Sequence, residues 1–473
     1  MTNLQKQSRA ALLALLIILC NSGSSLARVG GGGGHGSHGG GYSGGGGYGG
    51  GGFYVGGGSP GIFIVVFIII IVLVVVRNAS KKNGNTDLTH TLNTLLGEDD
   101  GEDTEISLAP AKPFPSGLDP QKVAYSFMAI QDAWQKKDLS NVRKWISDGM
   151  YQRLTTQFRM MKALDQSNHL SNIRISNITC AGTYTDGQYE VAEVAISFSM
   201  DDSFISNKYP EFNEEYDDDT DTEFWTFIRR SDSPAEKNLY DNNNCPNCGA
   251  PFEVKMGEIS RCSNCNTLTN SAAYDWVLSE ITQDEDYNGG AGLRDDANLK
   301  ELMKTDPLFA VQRLEDVASN IFMQVMEVFA GDDAKRLTRF SDPQISEFLG
   351  AQKQKMGHFV FDRLYLNDVT LSGYQQDGAL IKFSFDATAT YRRVSTEGRI
   401  HMLDSDFVTQ RFKLELSRNL TTSGKKDAAE TVFSYECSSC GAPFTDTTQD
   451  HCTYCDAPVV DKSRNWVLTR FDW

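Results

Sequence analysis

Two cysteine quartets, about 190 residues apart, constrain this chain more than any other feature. The first is Cys245-x-x-Cys248 with Cys262-x-x-Cys265, the second Cys437-x-x-Cys440 with Cys452-x-x-Cys455. Each C-x-x-C brings two thiolates to one centre through a tight turn. The residue after its second cysteine is Gly249, Asn266, Gly441 or Asp456, all tolerant of positive φ. Four thiolates around Zn2+ fill a tetrahedral shell and leave no place for water, so two structural zinc sites are expected rather than hydrolytic ones. Redox-active pairs need a helix N-terminus to lower the thiolate pKa, and these pairs lie in loops rich in Pro, Gly and Asn. Spacing alone leaves iron–sulfur ligation open. Thiols kept as ligands imply a reducing compartment.

The quartets belong to a longer repeat. Asp119-Pro120 is echoed by Asp306-Pro307, and Asp275-Trp276-Val277-Leu278 by Asn465-Trp466-Val467-Leu468. In each copy a helical pattern precedes strands, which argues for an α+β layer rather than alternating βαβ units. In the first copy Val123, Phe127, Ile130 and Trp134 predict one helix, Leu139, Val142 and Ile146 a second, and Tyr151, Leu154 and Phe158 a third. Strands are expected around Ile173 to Ile178, Val191 to Phe198, Glu223 to Arg229 and Trp276 to Ile281, forming a curved antiparallel sheet. The second copy follows with a helix through Val317, Ile321, Val325 and Phe329. Its strands are expected over Leu364 to Leu371, Ala379 to Tyr391, Phe407 to Leu416 and Trp466 to Phe471. Each quartet falls between the last two strands of its copy. The ribbons, 245–265 and 437–455, are therefore hairpin insertions too small to fold without metal.

The N-terminus carries two membrane signals. Residues 1–27 combine Lys6 and Arg9, an apolar stretch from Ala10 to Leu19, and small residues at Ser25 and Ala27, as a secretory signal peptide does. Ile18 and Leu19 are too bulky for a lipid-attachment site at Cys20. Residues 28–60 are mostly glycine and cannot bury enough surface to order themselves. Ile62 to Val76 has no polar side chain and is followed by Arg77, Lys81 and Lys82, which predicts a transmembrane helix over 61–77. Positive charge on that side places everything C-terminal to it in the cytoplasm, so a single-pass protein of the inner cell membrane is expected. Residues 78–117 form an acidic, proline-ended linker. The net charge of −18 repels phosphate backbones, which argues against nucleic acid as a partner.

The repeated unit resembles the Tim44-like family, the C-terminal domain of the mitochondrial inner-membrane subunit that tethers the import motor. The features that carry this are Asp119-Pro120, Ala133-Trp134 with Lys137-Asp138-Leu139, Trp225-Thr226-Phe227-x-Arg229 and Trp276-Val277-Leu278. Bacterial members share the order of signal peptide, glycine-rich stretch, span and soluble domain. The resemblance is good over 118–283 and weaker over 303–473, with 284–302 as a linker between them; Glu327 or a neighbour stands where Trp134 would be. It implies two tandem cone-shaped domains like nuclear transport factor two, each with three helices on a curved antiparallel sheet around an apolar cavity.

These features lead us to expect a non-enzymatic, membrane-anchored binding or tethering module whose partner is a protein or lipid at the cytoplasmic face, linked to protein transport or complex assembly. Trp134, Trp145, Trp225 and Phe227 are the candidate contact residues, with ordinary core packing as the alternative reading of all four. Two other functions are weighed beside it. The cone also hosts isomerases and dehydratases, which need a carboxylate or His base in an apolar cavity, and His169, His358 and His401 are the histidines available besides His451. A purely structural envelope protein would have its pockets packed solid. Cys180 stands alone on a predicted strand and is read as a small buried hydrophobe.

Overall fold

The computed structural model describes residues 112–233, 237–252, 260–289, 296–305, 309–419, 437, 439–442, 451–459 and 466–473. The expected signal peptide, glycine-rich segment, span at 61–77 and most of the linker at 78–117 lie outside the described residues. No described helix is long and apolar enough to cross a membrane.

Helix α1 (Pro120–Lys136) starts where local chemistry dictates. Asp119 is extended and accepts the Lys122 N–H at 2.8 Å, and Pro120 supplies a fixed φ at the first position. Its buried face carries Val123, Phe127, Ile130 and Trp134, and it stops at Lys137, which is left-handed (φ 52°). The expected second helix is only a 3-10 turn, Arg143–Trp145. Asp138 accepts the Ser140 N–H at 3.0 Å, offering the backbone a turn in place of a helix. Ile146 is extended and bridges Leu278, so helical φ/ψ cannot continue through it. Helix α2 (Asp148–Ala163) then begins at Ser147, whose hydroxyl accepts the Met150 N–H.

Four strands follow in the antiparallel order β1-β2-β3-β4: β1 (Gln166–Asp186), β2 (Tyr189–Ser206), β3 (Glu214–Arg230) and β4 (Val277–Gln283). The strands run well past their apolar stretches, and β3 takes in the acidic run 217–221.

The second half opens with α3 (Ala297–Thr305), so the expected linker at 284–302 ends in a helix whose Leu299 and Met303 enter the second core. Next come α4 (Val311–Phe329), a 3-10 turn (Ala334–Arg339) and α5 (Pro343–Met356). The sheet has the order β5-β6-β8-β9, with β5 (Phe359–Asp377), β6 (Leu380–Ser395), β8 (Val408–Asn419), β9 (Val467–Asp472) and the short β7 (His401–Met402) beside β6. The halves use one device to join the entry of a helix to the last strand. The Ser147 N–H donates to the Leu278 carbonyl at 2.9 Å, and the Asp342 N–H to the Leu468 carbonyl at 3.0 Å.

Every residue of α4 except Arg313 and Asp316 is buried. Its apolar face fills the second core, and its polar face lies against α2. Asp316 accepts the Ser147 hydroxyl at 2.5 Å and the Gly149 N–H at 3.1 Å; Asn320 donates to the Asp148 carbonyl at 2.9 Å. Further along, Glu327 receives Gln152, Thr156 and Arg159. At the other end, the Asp186 carboxylate accepts the Val311 and Gln312 N–H groups at 2.9 and 2.8 Å, so a side chain from the first half caps the central helix of the second. A third fastening is Arg363, which donates two hydrogen bonds to Glu214.

Candidate metal centres

Both quartets converge. In each, the four sulfurs lie within 4.8 Å of one another. The distances are 3.6 Å for Cys245–Cys265, 3.8 Å for Cys248–Cys262, 3.4 Å for Cys437–Cys455 and 3.7 Å for Cys440–Cys452. A tetrahedron with Zn–S arms of about 2.3 Å has edges of about 3.8 Å, so the donor set fits zinc.

The backbone builds these sites by repeating one turn four times. Gly249, Asn266, Gly441 and Asp456 have φ of 75°, 58°, 75° and 60°, and each donates its N–H to the carbonyl of the first cysteine in its pair. The N–H of that first cysteine donates in turn to the carbonyl of Ala250, Thr267, Ala442 or Ala457. Polar neighbours favour thiolate at several positions. The Thr267 hydroxyl, 3.3 Å from Cys265 Sγ, and the Thr267 N–H lower the Cys265 thiol to about 6. Asn264 Nδ2, 3.3 Å from Cys248 Sγ, lowers that thiol as well. The Cys440 N–H is first among the donors that bring Cys437 down to about 6. Burial acts the other way on Cys245, whose thiol is pushed up to about 12; a bound cation overrides this by holding the thiolate directly. His451 is exposed beside the second quartet and is not among its converging ligands.

The first ribbon is not a free appendage. Leu239 and Tyr240, just before Cys245, sit in the first core at 1% and 3% exposure. Tyr240 stacks on Trp145 with centroids 4.7 Å apart and donates its hydroxyl to the Trp276 carbonyl at 2.9 Å. Lys144 donates to the Asn242 carbonyl and to Asn243 Oδ1, and Ser260 Oγ donates to the Arg143 carbonyl. Thus the 3-10 turn at 143–145, where the apolar spacing predicts a helix, is the seat of the ribbon.

The four expected contact residues are core. Trp134 and Trp145 are 1% exposed, and Trp225 and Phe227 are fully buried. Trp134 Nε1 donates to Asn168 and Trp225 Nε1 to Glu223, so even their polar atoms are used internally. Where the resemblance implies an apolar cavity, the interior of the first half holds the rings of Phe127, Phe198 and Trp225, with Phe127 centred 4.7 Å from Phe198 and 5.6 Å from Trp225. His169, His358 and His401 are exposed, away from that interior. Cys180 is fully buried, as expected, and burial raises its thiol.

Accessible apolar side chains lie on the opposite face of α1. Tyr125 and Met128, 46% and 44% exposed, line a groove of about 480 Å³ whose other wall is Tyr240, Asp241 and Asn243 at the base of the ribbon. Their i, i+3 spacing on the outer face of an amphipathic helix was the available sequence signal.

No curated protein and no solved structure matches the chain. The family model of the Tim44-like domain matches residues 120–239, from the first residue of α1 to the entry of the first ribbon.

Proposed function

We propose that this protein is a membrane-anchored, non-enzymatic tether built from two Tim44-like domains, each carrying a zinc ribbon, that holds a protein or lipid partner at the cytoplasmic face. The Tim44-like match over 120–239 carries the reading, because that family is one of binding modules in protein transport. The shared helix-to-last-strand device and the equivalent placement of the two quartets support treating 303–473 as a second such domain. Several buried polar contacts lock the halves, which suits a part that transmits position rather than one that opens around a substrate. The groove beside Tyr125 and Met128 takes the place of the buried tryptophans as the contact surface.

The test is crosslinking in intact membranes followed by detergent extraction. A defined partner should be recovered with the native chain and lost with Met128→Asp, while the sheets still fold. Recovery that does not depend on Met128 would place contact elsewhere. External labelling of the ribbon thiols in intact cells would overturn the cytoplasmic assignment.

A further inference from the structure

Two attachments meet at the start of α2. From one side, Asn270, at the foot of the first ribbon, donates Nδ2 to the Ile146 carbonyl at 3.1 Å and to Asp148 Oδ1 at 2.9 Å. Arg143, on whose carbonyl the ribbon's Ser260 rests, binds the same Asp148 oxygen at 2.5 Å. From the other side, α4 places Asp316 on Ser147 and Gly149, and Asn320 on the Asp148 carbonyl. Residues 146–149 are therefore gripped by the ribbon and by the second half at once.

The route from the sulfurs to this grip is short. Past Cys262 and Cys265, the Cys262 N–H donates to Thr267, Arg261 bridges Leu268, and the Thr269 N–H donates to the Ser260 carbonyl at 2.9 Å. The next residue is Asn270. These rungs, with the Ser260–Thr269 hydroxyl pair at 2.5 Å, connect the quartet to Asp148, and a ribbon with so little apolar core among its described residues depends on its bound sulfurs to keep them in register.

We infer that metal in the first ribbon holds the joint between the two halves, so that its loss loosens α2 from α4. The inference rests on the metal reading of Cys245, Cys248, Cys262 and Cys265, and it makes the ribbon a metal-dependent clamp. The second quartet lies outside this path, between β8 and β9, and serves as the internal control.

Amide hydrogen exchange on the full-length protein in detergent tests this, with metal content measured on the same samples. Chelation should speed exchange across 147–153 and 311–325 by about tenfold or more, as local opening of a joint does. Cys437→Ser with Cys440→Ser, which removes only the second site, should leave those amides slow. Asn270→Ala should keep its metal yet show the faster exchange. Unchanged amides in chelated protein shown to have lost its metal would overturn the clamp while leaving the metal reading intact. Slow amides in metal-loaded Asn270→Ala would overturn the clamp equally. Protein that binds no metal would overturn the metal reading itself.

Discussion

Asp316 of α4 lies so close to Gly149 of α2 that a Cβ at position 149 would sit 2.2 Å from the Asp316 carboxylate. The two helices approach as closely as they do because position 149 has no side chain. Gly149→Ala should therefore force them apart and cost about 2 kcal/mol, as overpacking does elsewhere. Gly350 on α5 offers the contrast: its Cβ would meet nothing nearer than Ala334 at 3.8 Å. Gly350→Ala should stabilise by about 0.5–1 kcal/mol through the unfolded chain. Urea unfolding of the two variants should give opposite signs, and equal effects would contradict this account of the joint.

The same carboxylate predicts a pH dependence. Burial pushes the Asp316 carboxyl up to about 6 from its usual 3.8, against the Ser147 hydrogen bond that favours its charged form. A carboxyl raised in the folded state contributes stability that is complete below pH 3.8 and lost as pH rises through 6. Asp316→Asn removes that titration while keeping an acceptor for Ser147 and Gly149. Between pH 4 and pH 8 the variant should gain on the native chain by roughly 2 kcal/mol, the residue being partly exposed. Unfolding free energies at the two pH values give the difference, and a variant that loses ground at high pH would reverse the sign argued here.

Purified protein should carry two equivalents of zinc, one for each converging quartet. Cys245→Ser with Cys248→Ser should leave one equivalent, and so should Cys437→Ser with Cys440→Ser. Emission spectroscopy reads the metal directly. Iron with visible charge-transfer bands would replace zinc with a cluster.

Tyr240 ties ribbon to core by packing more than by its hydroxyl. Tyr240→Phe loses one hydrogen bond to the Trp276 carbonyl and should cost about 1 kcal/mol. Tyr240→Ala empties the space against Trp145 and should cost about 3–4 kcal/mol. Chemical denaturation separates the two, and similar losses would mean that the ring is not seated in the core.

The helix through Val123, Phe127, Ile130 and Trp134 is legible in the sequence because its start signals and its apolar face agree. The metal centres are legible because C-x-x-C geometry is local: four residues set each turn, and the four positive-φ positions stand where the spacing requires them. Leu139, Val142 and Ile146 mislead because three apolar residues at helical spacing also suit a 3-10 turn followed by an extended residue. Ile146 is held extended by Leu278, more than a hundred residues later. Strand ends exceed the expected ones because the acidic run in β3 has no apolar alternation; Asp219, Thr220 and Asp221 pair with β2, while Asp218, left-handed at φ 50°, sits in a bulge and donates its N–H to the Asp201 carboxylate. Trp134, Trp145, Trp225 and Phe227 suit either a contact surface or a core in the sequence, and only the packing of the sheet against α1 places them in the core. Glu327 stands where the repeat weakens, because in the second half that face of the helix is turned toward Gln152, Thr156 and Arg159 of the first.

The cap on α4 has a consequence for how the chain is made. Ala310, at the N-cap position, provides no side-chain acceptor, so the helix begins on a carboxylate that left the ribosome more than a hundred residues earlier. The hairpin bearing Asp186 must already be in place before the longest described helix of the C-terminal half can gain its side-chain cap. Vectorial synthesis delivers the parts in that order. Residues 297–473 expressed alone would lack their template, whereas the two fragments mixed together would supply it in trans.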